Sequence, residues 1–451
     1  MSAQPEYLYR YNRPSSFSVD RQGPRLVLAT CGGTAENHRF FAGRVLAPRL
    51  FAELLLTVAR TARTRFHIPP AMLEKILALA DPVVTSDMGH LRFEAFSGCA
   101  GAYVRADFPH SLFDGEHTGK GTTNVDFNPE MRASLATVRD HEPLNLAVGP
   151  REVEIATPNV TVTERKVKLP SRWLKAFLEV QAYQARMKKA AELSGVHVSR
   201  FFQNLPKQKV KGPMFLAPSG SSLRISHLKS PGAIPVGGLE RLRLLDMAAR
   251  GAQGMAIYSE ASGAIAFELA FKEQASLTLV LSPDVWRGFS GEGQALEILA
   301  EGERFPGFER IKASLAWQGV IDVNETATRH ALAPDLVLRG FALLASTGKV
   351  GYSLAAGSYF HRELPYDFSE VLRLNPRLLE ARKLAGSGEI RITRGTGGEI
   401  EAWVPGTGVK HRVRSAEGGY RCTCPWFSRH QGQRGPCKHI LAVQITEGQD
   451  E

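Results

Sequence analysis

The chain has 451 residues, 43% hydrophobic and 22% charged, with a net charge of +11 and an isoelectric point near 9.5. That length exceeds one ordinary core and points to three or four domains. No run approaches the roughly 18 apolar residues of a membrane-spanning helix, and five cysteines are too few for a disulfide framework in a chain this long. The first residues, Met-Ser-Ala-Gln-Pro-Glu-Tyr, have neither a charged n-region nor an apolar h-region, so the expected compartment is the cytoplasm. The basic balance suits a polyanion partner without requiring one.

Residues 1–170 read as a mixed α/β region. Arg25 to Thr30 is a short apolar strand, and Val45 to Arg65 has helical spacing through Leu50, Leu54, Leu55 and Val58. Pro70 to Ala80 is a second helix candidate. Strands are predicted at His90–Phe96, Ala102–Ala106, Glu152–Ala156 and Val160–Thr163, the last two joined through Pro158-Asn159. The segment Asp114 to Asp126 holds Gly115, Gly119, Lys120 and Gly121. It fails as a P-loop, because Gly115 and Gly119 are one residue too close and glycine follows the lysine; a flexible polar loop is expected. Cys31 and His38 lie near each other in sequence, but proximity does not make a nucleophile–base pair.

Residues 171–305 begin with helix from Arg172 to about Pro206, its stripe marked by Trp173, Phe177 and Val180. The densest basic run follows: Arg186, Lys188, Lys189, Arg200, Lys207, Lys209 and Lys211, with Glu192 the one acid among them. It is either a phosphate-tracking run or a solvated helix end. Ser221 to Ser290 is strand-rich and reads as an antiparallel sheet, with a helix over Leu239–Ala249 packed on it.

Residues 306–370 change texture. A short helix over Arg310–Trp317 is followed by a second one, with Asp322 a candidate N-cap. A third helix, Leu336–Ser346, ends at Thr347-Gly348, and Lys349–Ser353 with Ser358–Phe360 makes a hairpin. This order resembles a winged helix-turn-helix. The third helix offers only Arg339 and carries Asp335 in its first turn, which is poor for base readout. His361 to Asp367 reads as a surface linker.

Residues 376–446 carry the densest chemistry. After a helix at Pro376–Lys383 come strands at Glu389–Thr393, Glu399–Val404 and Lys410–Arg414. Cys422 and Cys424 then stand one residue apart, and so do Cys437 and His439, across a twelve-residue loop. Thiolates and imidazole in two close pairs form a tetrahedral zinc set. Alternation puts both cysteines of the first pair on one strand face, and Pro425 should stop that strand. Cys437 is expected on the turn before a helix and His439 in its first turn; a swap to His430 or His411 would break the paired spacing. Arg412, Arg414, Arg421, Arg429, Arg434 and Lys438 surround the motif with Trp426 and Phe427, a charge-and-stacking set suited to nucleic acid. At least one of the two aromatics is expected to serve the small zinc core instead.

The pattern from about Trp403 to Ile445 resembles the SWIM zinc finger, a β-β-α module of helicase-like ATPases, Mutator-type transposases and signalling proteins. All four ligand positions are filled, which implies one structural zinc per chain. The whole chain also resembles bacterial SWIM proteins associated with MoxR-type ATPases and von Willebrand A-domain proteins. The expected protein is an α+β multidomain chain: N-terminal α/β regions, a strand-rich middle, a winged-helix-like segment and a C-terminal β-β-α zinc finger. Its expected function is binding nucleic acid, DNA before RNA, and/or protein partners as an accessory subunit. The competing reading is an enzyme with Asp114, His117 and Asp126 in its site and the finger as a targeting module.

Overall fold

The computed structural model describes residues 16–20, 23–29, 41–66, 82–116, 119–124, 127–141, 143–149, 171–207, 210, 212–289, 293, 295–301, 307–364, 373, 375–416 and 419–450. The predicted helix at Pro70–Ala80, the hairpin over 152–163, Cys31 and His38 lie outside them. The mixed α and β architecture expected from sequence is present.

The centre is an eight-stranded antiparallel sheet. Its order is Lys188–Ser194, Gly254–Ser259, Ile265–Ala270, Ser276–Leu281, Ala102–Pro109, His90–Phe96, Val83–Ser86 and Gly121–Asn124. It takes strands from both sides of the expected boundary at residue 170. Among the described residues each half carries the same elements in the same order, the second with a small three-stranded sheet inserted between its helix and its meander. Strand Phe41–Val45, helix Pro48–Arg63 and a three-strand meander make the first; strand Lys188–Ser194, helix Gly195–Gln203 and a three-strand meander make the second. The last strands of the two meanders pair antiparallel, Val104 opposite Leu279 and Arg105 opposite Thr278. A second sheet of five strands holds Phe41–Val45 between Leu144–Gly149 and Phe113–Glu116.

Alternation along the central strands separates two faces. One carries Leu91, Phe93, Val104, Ala106 and Phe108, all fully buried. Helix Pro48–Arg63 covers it, with Phe51 4.7 Å from Phe108 between ring centroids. Pro48 at the first turn suits the helix start, and Arg60 and Arg63 in the last turn complement its dipole. The other face carries Arg92, Glu94, Phe96, Tyr103, Arg105 and Asp107. Helix Ser171–Gln184 covers its apolar end, Phe177 meeting Phe96 edge-on at 4.8 Å.

Residues 307–364 cover the charged end of that face. They form helices Phe308–Ala313, Val323–His330 and Pro334–Ser346, then a hairpin of Val350–Ser353 and Ser358–His361. Asp322 caps the second helix, its carboxylate accepting from the Glu325 amide at 2.9 Å. A small core of Phe308, Ile311, Val337, Phe341, Leu344 and Tyr359 holds the segment together. Arg92 donates to Asp87 and Asp107, each at 2.8 Å, and to the carbonyl of Gly319 at 2.8 Å. Arg362 donates to Glu94 at 2.6 Å, with both side chains fully buried. Burial alone would raise the Asp107 carboxyl, but Arg105 and Arg92 hold it below its ordinary value. The expected surface linker at His361–Asp367 is therefore corrected for its described part: His361 and Arg362 are buried.

Three further expectations change. Lys188 and Lys189 lie on a strand, Lys188–Ser194, paired with Gly254–Ser259, and not on a helix. Leu239–Leu245 and Ala248–Arg250 form two 3₁₀ turns in place of one α-helix. The expected polar loop at 114–126 contains strands Phe113–Glu116 and Gly121–Asn124. Among the described residues no helix is long and apolar enough to cross a membrane.

Candidate metal centre

A four-stranded antiparallel sheet, Arg391–Arg394, Ile400–Pro405, Lys410–Ala416 and Gly419–Cys422, precedes the site. Its inner row runs Ile392, Ala402, Val413, Cys422 in register. The strand ends at Cys422, yet Thr423 extends the pairing: its amide donates to the Arg412 carbonyl at 3.1 Å and its hydroxyl accepts from the Arg412 amide at 3.0 Å. Cys424 then caps a short helix, Pro425–His430, its sulfur accepting from the Phe427 amide at 3.4 Å. The expected twelve-residue loop thus holds a helical turn and a half, with Pro425 at the position where a missing amide costs nothing.

Gln431, Gly432 and Gly435 take positive φ and turn the chain back. A Cβ on Gly435 would lie 1.9 Å from the Gly293 carbonyl oxygen, so only glycine lets the finger meet the body there. Cys437 stands immediately before helix Lys438–Asp450, and His439 lies in its first turn. That helix packs its Ile440, Leu441, Ala442 and Val443, all buried, against helix Pro376–Gly386 and the inner sheet face. Gln444 donates to Glu297 of helix Leu296–Glu301 at 2.6 Å.

Cys422, Cys424, Cys437 and His439 are all buried, and their ligand atoms lie within 4.8 Å of one another. Cys422 Sγ is 3.8 Å from His439 Nδ1. A tetrahedral zinc with bonds of about 2.0–2.3 Å places its donors about 3.5–3.8 Å apart, so the set fits. The donor chemistry agrees: three sulfurs and an imidazole exclude calcium and magnesium, which take oxygen. The neighbouring Cys437 and burial push the Cys424 thiol up to about 12. Cys422 and burial push the Cys437 thiol up to about 11. Such a cluster has little reason to hold thiolates except around a cation. The four residues are positioned to bind one zinc ion, and with four protein donors the site is of the closed, structural type.

His411 and His430 are outside the cluster. His411 lies beside His439, the ring centroids 4.5 Å apart and the planes tilted by 44°. Of the two aromatics, Phe427 is buried in the core, whereas Trp426 is half-buried under the Arg377 guanidinium at 4.6 Å.

The six basic candidates divide between two surfaces. Arg412, Arg414 and Arg421 lie on the outer sheet face, where Arg414 pairs with Glu401 at 2.7 Å and Arg412 approaches it at 4.0 Å. Arg429, Arg434 and Lys438 lie around the turn and the second helix. There, partial burial and Arg434, Arg429, Arg287 and Arg377 together lower the His430 imidazole, the mark of an electropositive patch. Arg287 and Arg377 come from outside the motif and were not singled out by sequence. Of the enzyme candidates, Asp114 is exposed on strand Phe113–Glu116; His117 and Asp126 lie outside the described residues.

Residues 411–446 match the model of the SWIM zinc finger. No curated protein matches the chain. Among solved structures, the chain is similar to the proliferating cellular nuclear antigen of Entamoeba histolytica at 10% identity and a TM-score of 0.34, over 54% of this chain and 99% of that one. It is likewise similar to the PCNA2–PCNA3 complex of Sulfolobus tokodaii at 11% identity and a TM-score of 0.33, over 54% and 98%. Motif, geometry and donor chemistry agree on the C-terminal segment: residues 411–446 are a SWIM zinc finger.

Proposed function

We propose that this chain is a non-enzymatic nucleic-acid-binding protein whose zinc-built finger presents basic side chains to a phosphate backbone, DNA before RNA. One observation carries the reading. All four donors are turned inward and buried, so zinc has no open position for substrate, while Arg414, Arg421 and Arg429 of the same module are exposed and Arg412, Arg434 and Lys438 half-exposed. The net charge of +11 agrees with such a partner.

The segment 307–364 is read as a winged helix used for packing and not for groove reading. Its third helix, Pro334–Ser346, lies against helix Ser171–Gln184, which supports that role. An accessory-subunit role beside a MoxR-type ATPase or a von Willebrand A-domain protein rests on the resemblance to bacterial SWIM proteins, and co-purification of either partner tests it.

The test of the main reading is binding of labelled single- and double-stranded oligonucleotides over a series of salt concentrations. Affinity should fall steeply as salt rises, and Arg429→Ala with Arg434→Ala should flatten that slope by roughly one ion per removed contact. Failure to bind at low salt would refute it.

A further inference from the structure

The outer face of the finger's sheet carries a feature that the zinc motif does not explain. Trp403 is 45% exposed in the middle of strand Ile400–Pro405. Its neighbours Ala402 and Val404 point the other way and are fully buried, so alternation fixes the indole outward. In register, Trp403 stands between Arg391 on one side and Arg412 on the other. Among the described residues Trp403 meets no other ring and Arg391 makes no ion pair. The next row across the same face is Glu401, Arg414, Arg421. Four arginines therefore share this face with one carboxylate, Glu401, which pairs with Arg414 at 2.7 Å and is approached by Arg412 at 4.0 Å. The helices of the finger cover only the inner face.

An indole left exposed gains free energy when a partner covers it, and a surrounding field of arginines selects that partner by charge. A flat aromatic flanked by cations two strand spacings apart, about 9.6 Å, suits an unpaired base stacked on the ring with its phosphates toward the guanidinium groups. A duplex hides its base faces and could not use the indole. We infer that the outer sheet face of the finger is a stacking platform for single-stranded nucleic acid, with Trp403 under a base and Arg391 and Arg412 at the flanking phosphates. This deepens the proposed function and rests on it. It also places two contributors, Arg391 and Trp403, outside the matched motif.

The test compares oligothymidine with inorganic polyphosphate, a polyanion without bases, on the zinc-loaded full chain. Trp403→Ala should weaken oligothymidine binding about tenfold or more, the range that loss of one stacked base implies, and leave polyphosphate binding unchanged. Trp403→Phe should restore most of it. Arg391→Ala should weaken both and reduce the salt slope. Zinc content serves as the folding control for each variant. If Trp403→Ala binds oligothymidine like the parent while Arg429→Ala and Arg434→Ala do not, the platform is refuted and the nucleic-acid reading stands. If the parent binds neither polymer at low salt, both fall.

Discussion

The eight-stranded sheet is buried on both faces along its central strands His90–Phe96 and Ala102–Pro109, by helix Pro48–Arg63 on one side and by helix Ser171–Gln184 with residues 307–364 on the other. The four-stranded sheet of the finger is covered on one face only, by a helix whose start is pinned at Cys437 and His439. The first arrangement spends its charged residues internally, Arg92, Arg105 and Arg362 each facing a carboxylate. The second turns its arginines outward and leaves internal cohesion to a metal ion and a few apolar side chains. A large sheet can hold itself by area; a small one needs a staple, and the staple frees its other face for a partner.

The comparison breaks most visibly if the staple is removed. Cys437→Ser should abolish zinc binding and unfold residues 391–446, since structural zinc contributes on the order of 10–16 kcal/mol to such modules. Limited proteolysis would then cut the finger while the body keeps its unfolding transition. A finger that stays resistant without zinc would contradict this. In the body, Arg362→Met should cost about 3–5 kcal/mol in denaturant, because buried Glu94 loses its cationic partner and keeps only the hydrogen bond from the Tyr103 hydroxyl. Zinc content should not change, and Glu94→Gln in the same chain should recover most of the loss.

Smaller effects sharpen the same contrast. Asp322→Ala removes one helix cap and should cost about 1 kcal/mol, read as a shifted denaturation midpoint. Glu363 gives the smallest, because its side chain is 45% exposed and solvent screens its pairing. Its hydrogen bond to His361, opposed by burial and aided by Lys349, holds its carboxyl down to about 2. A depressed carboxylate stabilises the fold above its unfolded value of about 4.3 and loses that contribution as pH falls toward about 2. Glu363→Gln should therefore flatten the acid limb of the stability curve within that window and leave the midpoint at acid pH unchanged.

Much of the finger was legible in the sequence because its chemistry is local. The Cys-x-Cys and Cys-x-His spacing, the Asp322 cap and the apolar stripes of the helices at Leu54–Val58 and Trp173–Val180 each depend on near neighbours. What was not legible depends on distant ones. Lys188-Lys-Ala-Ala-Glu192 has helix-favouring composition, but pairing with Gly254–Ser259 overrides it. The joining of the two meanders into one sheet leaves no mark in either half alone. Arg362 looked like part of a linker because its partner, Glu94, is 268 residues away. Two signals were present and unused. Arg92, Glu94, Arg105 and Asp107 alternate with apolar residues along their strands, the pattern of a face that must meet complementary charge. In Glu401-Ala-Trp-Val404 the same alternation already sets Trp403 on the side of Glu401, away from the core.

The most direct test is to measure zinc per chain and salt-dependent oligothymidine binding on the same preparation, before and after chelation. One zinc per chain, steep weakening with salt and loss of binding when the metal is stripped are the expected results. Binding that survives complete zinc removal, or a chain that carries no zinc, would contradict this reading.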